Sequence, residues 1–507
     1  MAFNLKFLIE VFFVLVMGGC AKNAMRRASV RRKLQNAPKK GRKKEKKISN
    51  ITNLLPREVD MHLIKPIIAS LKIALVVVHV QVSVARTAPF LRSRPSVLGP
   101  SKYQNKTRVL EDGAESIFSG ISTCGKWMDV GQPIIGSSEY EFSGSSLASS
   151  ADGRIIAIGA PYNSEKERHI GVVRVYRMND KWEQIGQDIV GRAEQDLFGT
   201  SIAMSSNGRT MAVGSIGHNG YYKNVGKIKV FRLENNSWTK FGNIITGEEQ
   251  FERVGFSVSM SSRGTIIAVS SSGAGSKTAT TVYAYNRETQ SWNQRGNSFV
   301  EDMTNELVGG VSVSLSDDGS IVAIGNHLNS EKGKFAGYVR IFQFNSEELV
   351  WTQLGDSIYG KYEKENFGTS ISSTTSGFTI AVGADGYEKD RGCVRIFDYQ
   401  ENLQQWHQRG QDILGESRDS FAGTSVSISS LGDIVAVGAV GKNKEGDQSG
   451  HTNLYTYVTN EETWVQVGNS ILGTSKSDFA GGAVELSDDG TTVAVAAPFY
   501  TWNGMNR

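Results

Sequence analysis

The chain is predicted to be all-β: a seven-bladed β-propeller of four-stranded antiparallel blades, closed by a composite last blade. Three observations predict it. Trp127, Trp182, Trp238, Trp292, Trp351, Trp406 and Trp464 recur at intervals of 54 to 59 residues, each with a glycine four residues on. Each repeat reads as short strands separated by turns, with no helical period. The array begins and ends on complementary halves of one repeat. A radial array leaves few exposed strand edges, which a linear stack of sheets would not.

The elements follow in order. After each tryptophan strand comes a loop, then a Phe-Gly element such as Phe198-Gly199 or Phe367-Gly368. An alternating first strand follows, as in Ser201 to Ser205, and ends in a tight turn such as Asp152-Gly153, Asn207-Gly208, Asp318-Gly319 or Asp489-Gly490. Such pairs tolerate positive φ and suit short hairpins. The second strand is a nearly continuous apolar run, as in Ile155 to Ala160 or Val435 to Ala439, the pattern of a strand buried on both faces. The third strand opens on glycine, with "GVVRVY" at Gly171, "GKIKVF" at Gly226 and "GYVRIF" at Gly337. The last repeat stops after two strands, near Pro498. Gly113 lies 14 residues before Trp127, the gap that separates Gly337 from Trp351. The closing blade is therefore expected to take its inner strands from the C-terminus and its outer strands from residues 113 to 135.

These repeats resemble the FG-GAP repeats of integrin-α-type propellers. The likeness rests on "DLFGTSIAMSSNGRTMAVGS" from Asp196 and "DSFAGTSVSISSLGDIVAVGA" from Asp419, and covers roughly residues 113 to 507. It implies a secreted or surface-displayed propeller. The calcium-binding copies of that family carry several spaced carboxylates in a loop. Here the turns offer at most the adjacent pairs Asp317-Asp318 and Asp488-Asp489, so no metal and no cofactor is expected.

The N-terminal region is different material. Residues 1 to 112 hold 23 Lys+Arg against 6 Asp+Glu, while residues 113 to 507 hold 33 against 45. Residues 1 to 21 read as a signal peptide, although Glu10 interrupts the apolar run. Residues 22 to 112 read as a basic extension of low order, twelve basic side chains falling between Arg26 and Lys47. A second apolar segment, residues 73 to 85, reads as a signal, a membrane anchor or, through the alternating "HVQVSV" at His79, a strand. A secreted or membrane-anchored surface location is expected, and the sequons at Asn50, Asn105 and Asn235 allow glycosylation.

No catalytic constellation emerges. The histidines come from different repeats, and no nucleophile elbow or phosphate loop occurs. The expected function is a non-enzymatic binding module for a protein or glycan, with no nucleic acid expected at the propeller. The alternatives are a carbohydrate-active enzyme with carboxylates at the channel mouth and an intracellular scaffold. The strand 2–3 and 4–1 loops should share one face of the blades, and variable loops on a rigid scaffold commonly carry binding. Within them Tyr162, His218, Tyr221, Tyr222, Phe335 and Tyr387 are the candidate partner-binding residues.

Overall fold

The computed structural model of the protein describes residues 81–86, 127–138, 140–219, 223–273, 277–302, 311–442 and 448–499. It is an all-β propeller whose one described helix is the four-residue turn Tyr387–Asp390. Six blades, rather than the expected seven, are complete within one stretch of chain. They begin at Ser146–Ser149, Phe198–Met204, Ser257–Met260, Val311–Leu315, Phe367–Ser373 and Ala422–Ile428, and are numbered 1 to 6 in that order. A further sheet, assembled from distant segments, pairs Ala483–Leu486, Thr492–Ala497, Gln81–Arg86 and Met128–Asp129.

That closing sheet corrects the reading of its third strand. Gln81–Arg86 lies along the whole length of Thr492–Ala497, with Gln81 opposite Ala497 and Arg86 opposite Thr492. The segment expected there, from Gly113, lies outside the described residues. The propeller therefore reaches back before residue 113, to a compact unit spanning Val76–Arg507. Of the readings offered for residues 73 to 85, the strand is the one adopted by the described part. The expected signal segment, residues 1 to 21, lies outside the described residues. Among the described residues no helix is long and apolar enough to cross a membrane.

Each sheet also has five strands where four were expected. In blade 5 the outer strand is split: Gln405–Gln408 pairs with the end of Cys393–Gln400, and Ile413–Leu414 pairs with its start. Between them Gly410 adopts φ +74°, which lets the strand bulge outward. This bulge explains the Trp-Gly repeat. From Gly131 to Gly410 each glycine lies under the tryptophan of the next sheet, so that a Cβ on Gly355 would press on Trp406 and one on Gly410 on Trp464. The indole N–H then donates to the carbonyl just before that glycine. Trp182 bonds Val130, Trp406 bonds Leu354 and Trp464 bonds Arg409, at 2.7 to 2.8 Å. Trp127 closes the circuit by donating to Val467 at 3.2 Å.

The inner strands are locked at both ends. The serine two residues after the Phe-Gly glycine donates to the matching glycine carbonyl of the next sheet, as Ser201 does to Gly255 and Ser425 to Gly481. At the turns, backbone bonds run round the axis from Ala151 to Ser206, Ser262, Asp317, Thr375, Ser430 and Asp488, and back to Ala151. The turn carboxylates close their own hairpins. Asp318 accepts from Ser316 and Ser320, and Asp489 from Ser487 and Thr491.

Candidate functional site

The loops entering the blades repeat one backbone device. Two residues of left-handed conformation flank a single inward polar residue. Tyr140 and Phe142 flank Glu141, Gln195 and Leu197 flank Asp196, Lys364 and Asn366 flank Glu365, and Ser477 and Phe479 flank Asp478. Left-handed backbone costs a non-glycine residue roughly 1 kcal/mol or more. The buried acid offsets that cost by capping the loop's own N–H groups. Asp196 accepts from Arg192 at 2.8 Å. Glu365 accepts from Lys361 and Tyr362 at 2.6 and 2.9 Å, and Asp478 from Thr474 and Ser475 at 3.0 and 2.6 Å.

These loops also bond to the strand 2–3 loop of the preceding blade. Leu197 donates to His169, Lys364 to Lys334, Phe421 to Asp390 and Ser477 to Gln448. The two loop families therefore lie together, stitched backbone to backbone. The side chains two residues before the Phe-Gly glycines divide by sector. Phe421, Phe479, Phe142 and Leu197 form an apolar arc over blade 6, the closing sheet, blade 1 and blade 2, whereas blades 3 and 5 offer Arg253 and Asn366. Phe499 lies between two members of the arc, its ring centroid 4.7 Å from Phe142 and 4.9 Å from Phe479.

Among the described residues, the structure does not gather the sequence-predicted ones into one site. Tyr162 belongs to blade 1 and stands edge-on to Phe142 at 5.0 Å and to His169 at 5.2 Å, so it braces the arc from behind. Phe335 is half-buried in a loop of blade 4, where its carbonyl accepts from Asn366. Tyr387 is in blade 5, 5.6 Å from the ring of Tyr362 and beneath the Arg395 guanidinium. Tyr221 and Tyr222 lie outside the described residues.

His218, in blade 2, belongs to a buried charge cluster that the sequence reading missed. Lys227 and Asp196 are 2% and 0% exposed, and the Lys227 ammonium donates to both Asp196 oxygens, at 2.9 and 2.8 Å. His218 Nδ1 lies 2.8 Å from the Lys227 ammonium and 2.9 Å from Asp196 Oδ1. Burial alone would raise the Asp196 pKa. Its bonds from His218, the Arg192 N–H and Lys227 overcome burial and hold the carboxyl well below the usual carboxylate range. Blades 1 and 5 solve the same problem with arginine. Arg174 bonds Glu141 and Asp188, and Arg395 bonds Glu365 and Asp412.

A second group of acids gathers at the opposite, turn end of the inner strands. Glu485, on the innermost strand of the closing sheet, is pushed up to about 8 by burial and then by Asp488. Asp488 is pushed up to about 6 by burial and by Asp317, Asp489 and Asp152. Glu485 takes the position held by Ser427 in blade 6, whose hydroxyl accepts from the neighbouring Leu486 N–H. Among the described residues no group of three or more His, Cys, Asp or Glu side chains is arranged to hold a metal. The one described cysteine, Cys393, is fully buried as a free thiol that burial pushes up to about 12.

Neither a family model nor a curated protein matches this chain. Solved structures do. Hydrazine synthase of Kuenenia stuttgartiensis matches at 12% identity and TM-score 0.45, over 69% of this chain and 90% of that one. A candidate 6-phosphogluconolactonase of Bacteroides uniformis matches at 11% identity and TM-score 0.47, over 78% and 96%. One from Bacteroides fragilis matches at 11% and 0.45, over the same shares. Likenesses this distant carry no argument about activity.

Proposed function

We propose that this protein is a binding module of the FG-GAP type, secreted or held at the cell surface, which captures a protein or glycan on its loop face. The apolar arc of Phe421, Phe479, Phe142 and Leu197 carries this reading. Partly buried aromatic rings on loops cross-bonded to the preceding blade lose little entropy on binding, and aromatic anchors dominate recognition surfaces. The polar side of the same face, with Arg253 and Asn366, supplies the orienting contacts such a surface needs.

The test is selection of ligands from a printed glycan array and a displayed peptide library. Binders should lose at least tenfold in affinity for the Phe142→Ser, Phe479→Ser double variant while its thermal transition stays cooperative. Binders that hold equally well to the double variant would remove the arc from the reading.

A second reading, a glycan-cleaving enzyme, draws on Glu485 and Asp488. Two carboxyl groups whose environments spread their pKa values are what acid-base cleavage of a glycosidic bond uses. Turnover of an aryl-glycoside panel, abolished in Glu485→Gln, would favour that reading.

A further inference from the structure

Four of the six complete blades, 1, 2, 4 and 5, place a basic residue three positions after the glycine that opens the third strand. In blade 1 this is Arg174, bonded to Asp188 of the outer strand at 3.0 Å and to Glu141 of the entry loop. In blade 5 it is Arg395, bonded to Asp412 at 2.9 Å and to Glu365. In blade 4 it is Arg340, which reaches Ser357 and Glu331. Blade 2 places Lys229 here, and both of its partners are gone. The outer-strand acid is replaced by Ile244, six residues after Trp238 as Asp188 is after Trp182. The entry-loop acid, Asp196, is taken up by Lys227 and His218.

Lys229 is nevertheless only 6% exposed. Its ammonium lies 5.5 Å over the Phe198 ring, and no hydrogen bond or ion pair reaches it from the described residues. The stem is packed away while the ammonium, which keeps some access to water, has no acceptor among the described residues, so an anion arriving from solvent could pair with it. The charges around it are mostly of its own sign: Lys227, the exposed Arg192 on the entry loop and the exposed Lys240 on the outer strand. We propose that blade 2 holds a binding site for a compact oxyanion, a carboxylate or a phosphate, which takes the place that Asp188 and Asp412 fill in blades 1 and 5. Lys229 forms its floor and Arg192 and Lys240 its charged rim. Burial and then the Lys227 charge lower the Lys229 pKa to about 8, the condition a bound anion would relieve. The site is separate from the apolar arc and stands if that surface binds nothing.

The experiment is calorimetric titration of the full chain with inorganic phosphate and, separately, with acetate, at constant ionic strength. Binding of phosphate alone assigns a phosphate-bearing ligand, and binding of acetate assigns a carboxylate. Lys229→Met should weaken the bound anion at least tenfold. Ile244→Asp restores the acid that blades 1 and 5 possess; it should abolish anion binding by pairing Lys229 from within the chain, and raise the thermal midpoint. This second variant keeps the test open if Lys229→Met folds poorly. The proposal is overturned if neither anion binds the unaltered protein at millimolar concentration, or if both are bound as tightly by Ile244→Asp as by the unaltered protein.

Discussion

At the residue scale, the glycines of the second strand show how closely the blades approach. A Cβ on Gly383 would overlap the Gly423 carbonyl of the next blade, against which the Ser370 hydroxyl already bonds at 2.8 Å. Gly383→Ala should therefore destabilise the protein by about 2 kcal/mol or more, read as a lower denaturant midpoint. Blade 3 is the natural control. It carries Ser270 at this position, and the hydroxyl donates to Val311 of blade 4 at 2.7 Å, so that contact is built differently. Glu485 gives a pH-dependent counterpart. Its folded pKa, about 8, lies above the ordinary carboxylate value. A raised acid contributes stability that is full below the unfolded pKa and is lost as pH rises through the folded one. Between about pH 4.5 and 8 the protein should lose on the order of a few kcal/mol through this group. Glu485→Gln should flatten that stretch of the thermal midpoint against pH; an unchanged slope would show that Glu485 is not the group responsible.

At the element scale, the entry loops that carry an inward acid, such as Asp196, Glu365 and Asp478, hold their shape through that one side chain. Asp478→Ala removes the acceptor of the Thr474 and Ser475 N–H groups while Ser477 and Phe479 remain left-handed. About 1–3 kcal/mol should be lost, with faster amide exchange confined to residues 474 to 479. Uniform acceleration of exchange across the blade would contradict a local role. This device was only partly legible in the sequence. The Phe-Gly pair announces the strand that follows, but an acid two residues before Phe198 or Phe367 reads as an ordinary loop acid until its N–H partners are placed. The charge cluster of blade 2 was less legible still. His218 stood out as a loop histidine, while Asp196 and Lys227, 31 residues apart, meet only because the strand 2–3 hairpin folds back on the entry loop.

At the scale of the whole molecule, closure depends on a strand far from the repeats. Gln81–Arg86 is hydrogen-bonded between Thr492–Ala497 and the outer strand of the closing sheet. A chain truncated before Val76 should fold and melt as the full chain does. One truncated to begin at Gly113, the boundary read from sequence, should leave the edge of Thr492–Ala497 open, melt at lower temperature and aggregate through that edge. Equal melting of the two truncations would show that closure does not need Gln81–Arg86.

By itself the sequence determined the all-β class, the repeated antiparallel hairpin pattern and the tryptophan's role between blades. Each of these is local chemistry: a period of side chains, a turn dipeptide, a glycine at a fixed offset. Tertiary structure decided which segment completes the closing sheet, because any alternating strand can pair with an open edge and the choice lies in space rather than in spacing. It also decided which charges meet. Only packing reveals that Asp196 is spent on Lys227 while Lys229, two residues on, is left without an acid, an isoleucine standing where blades 1 and 5 have an aspartate.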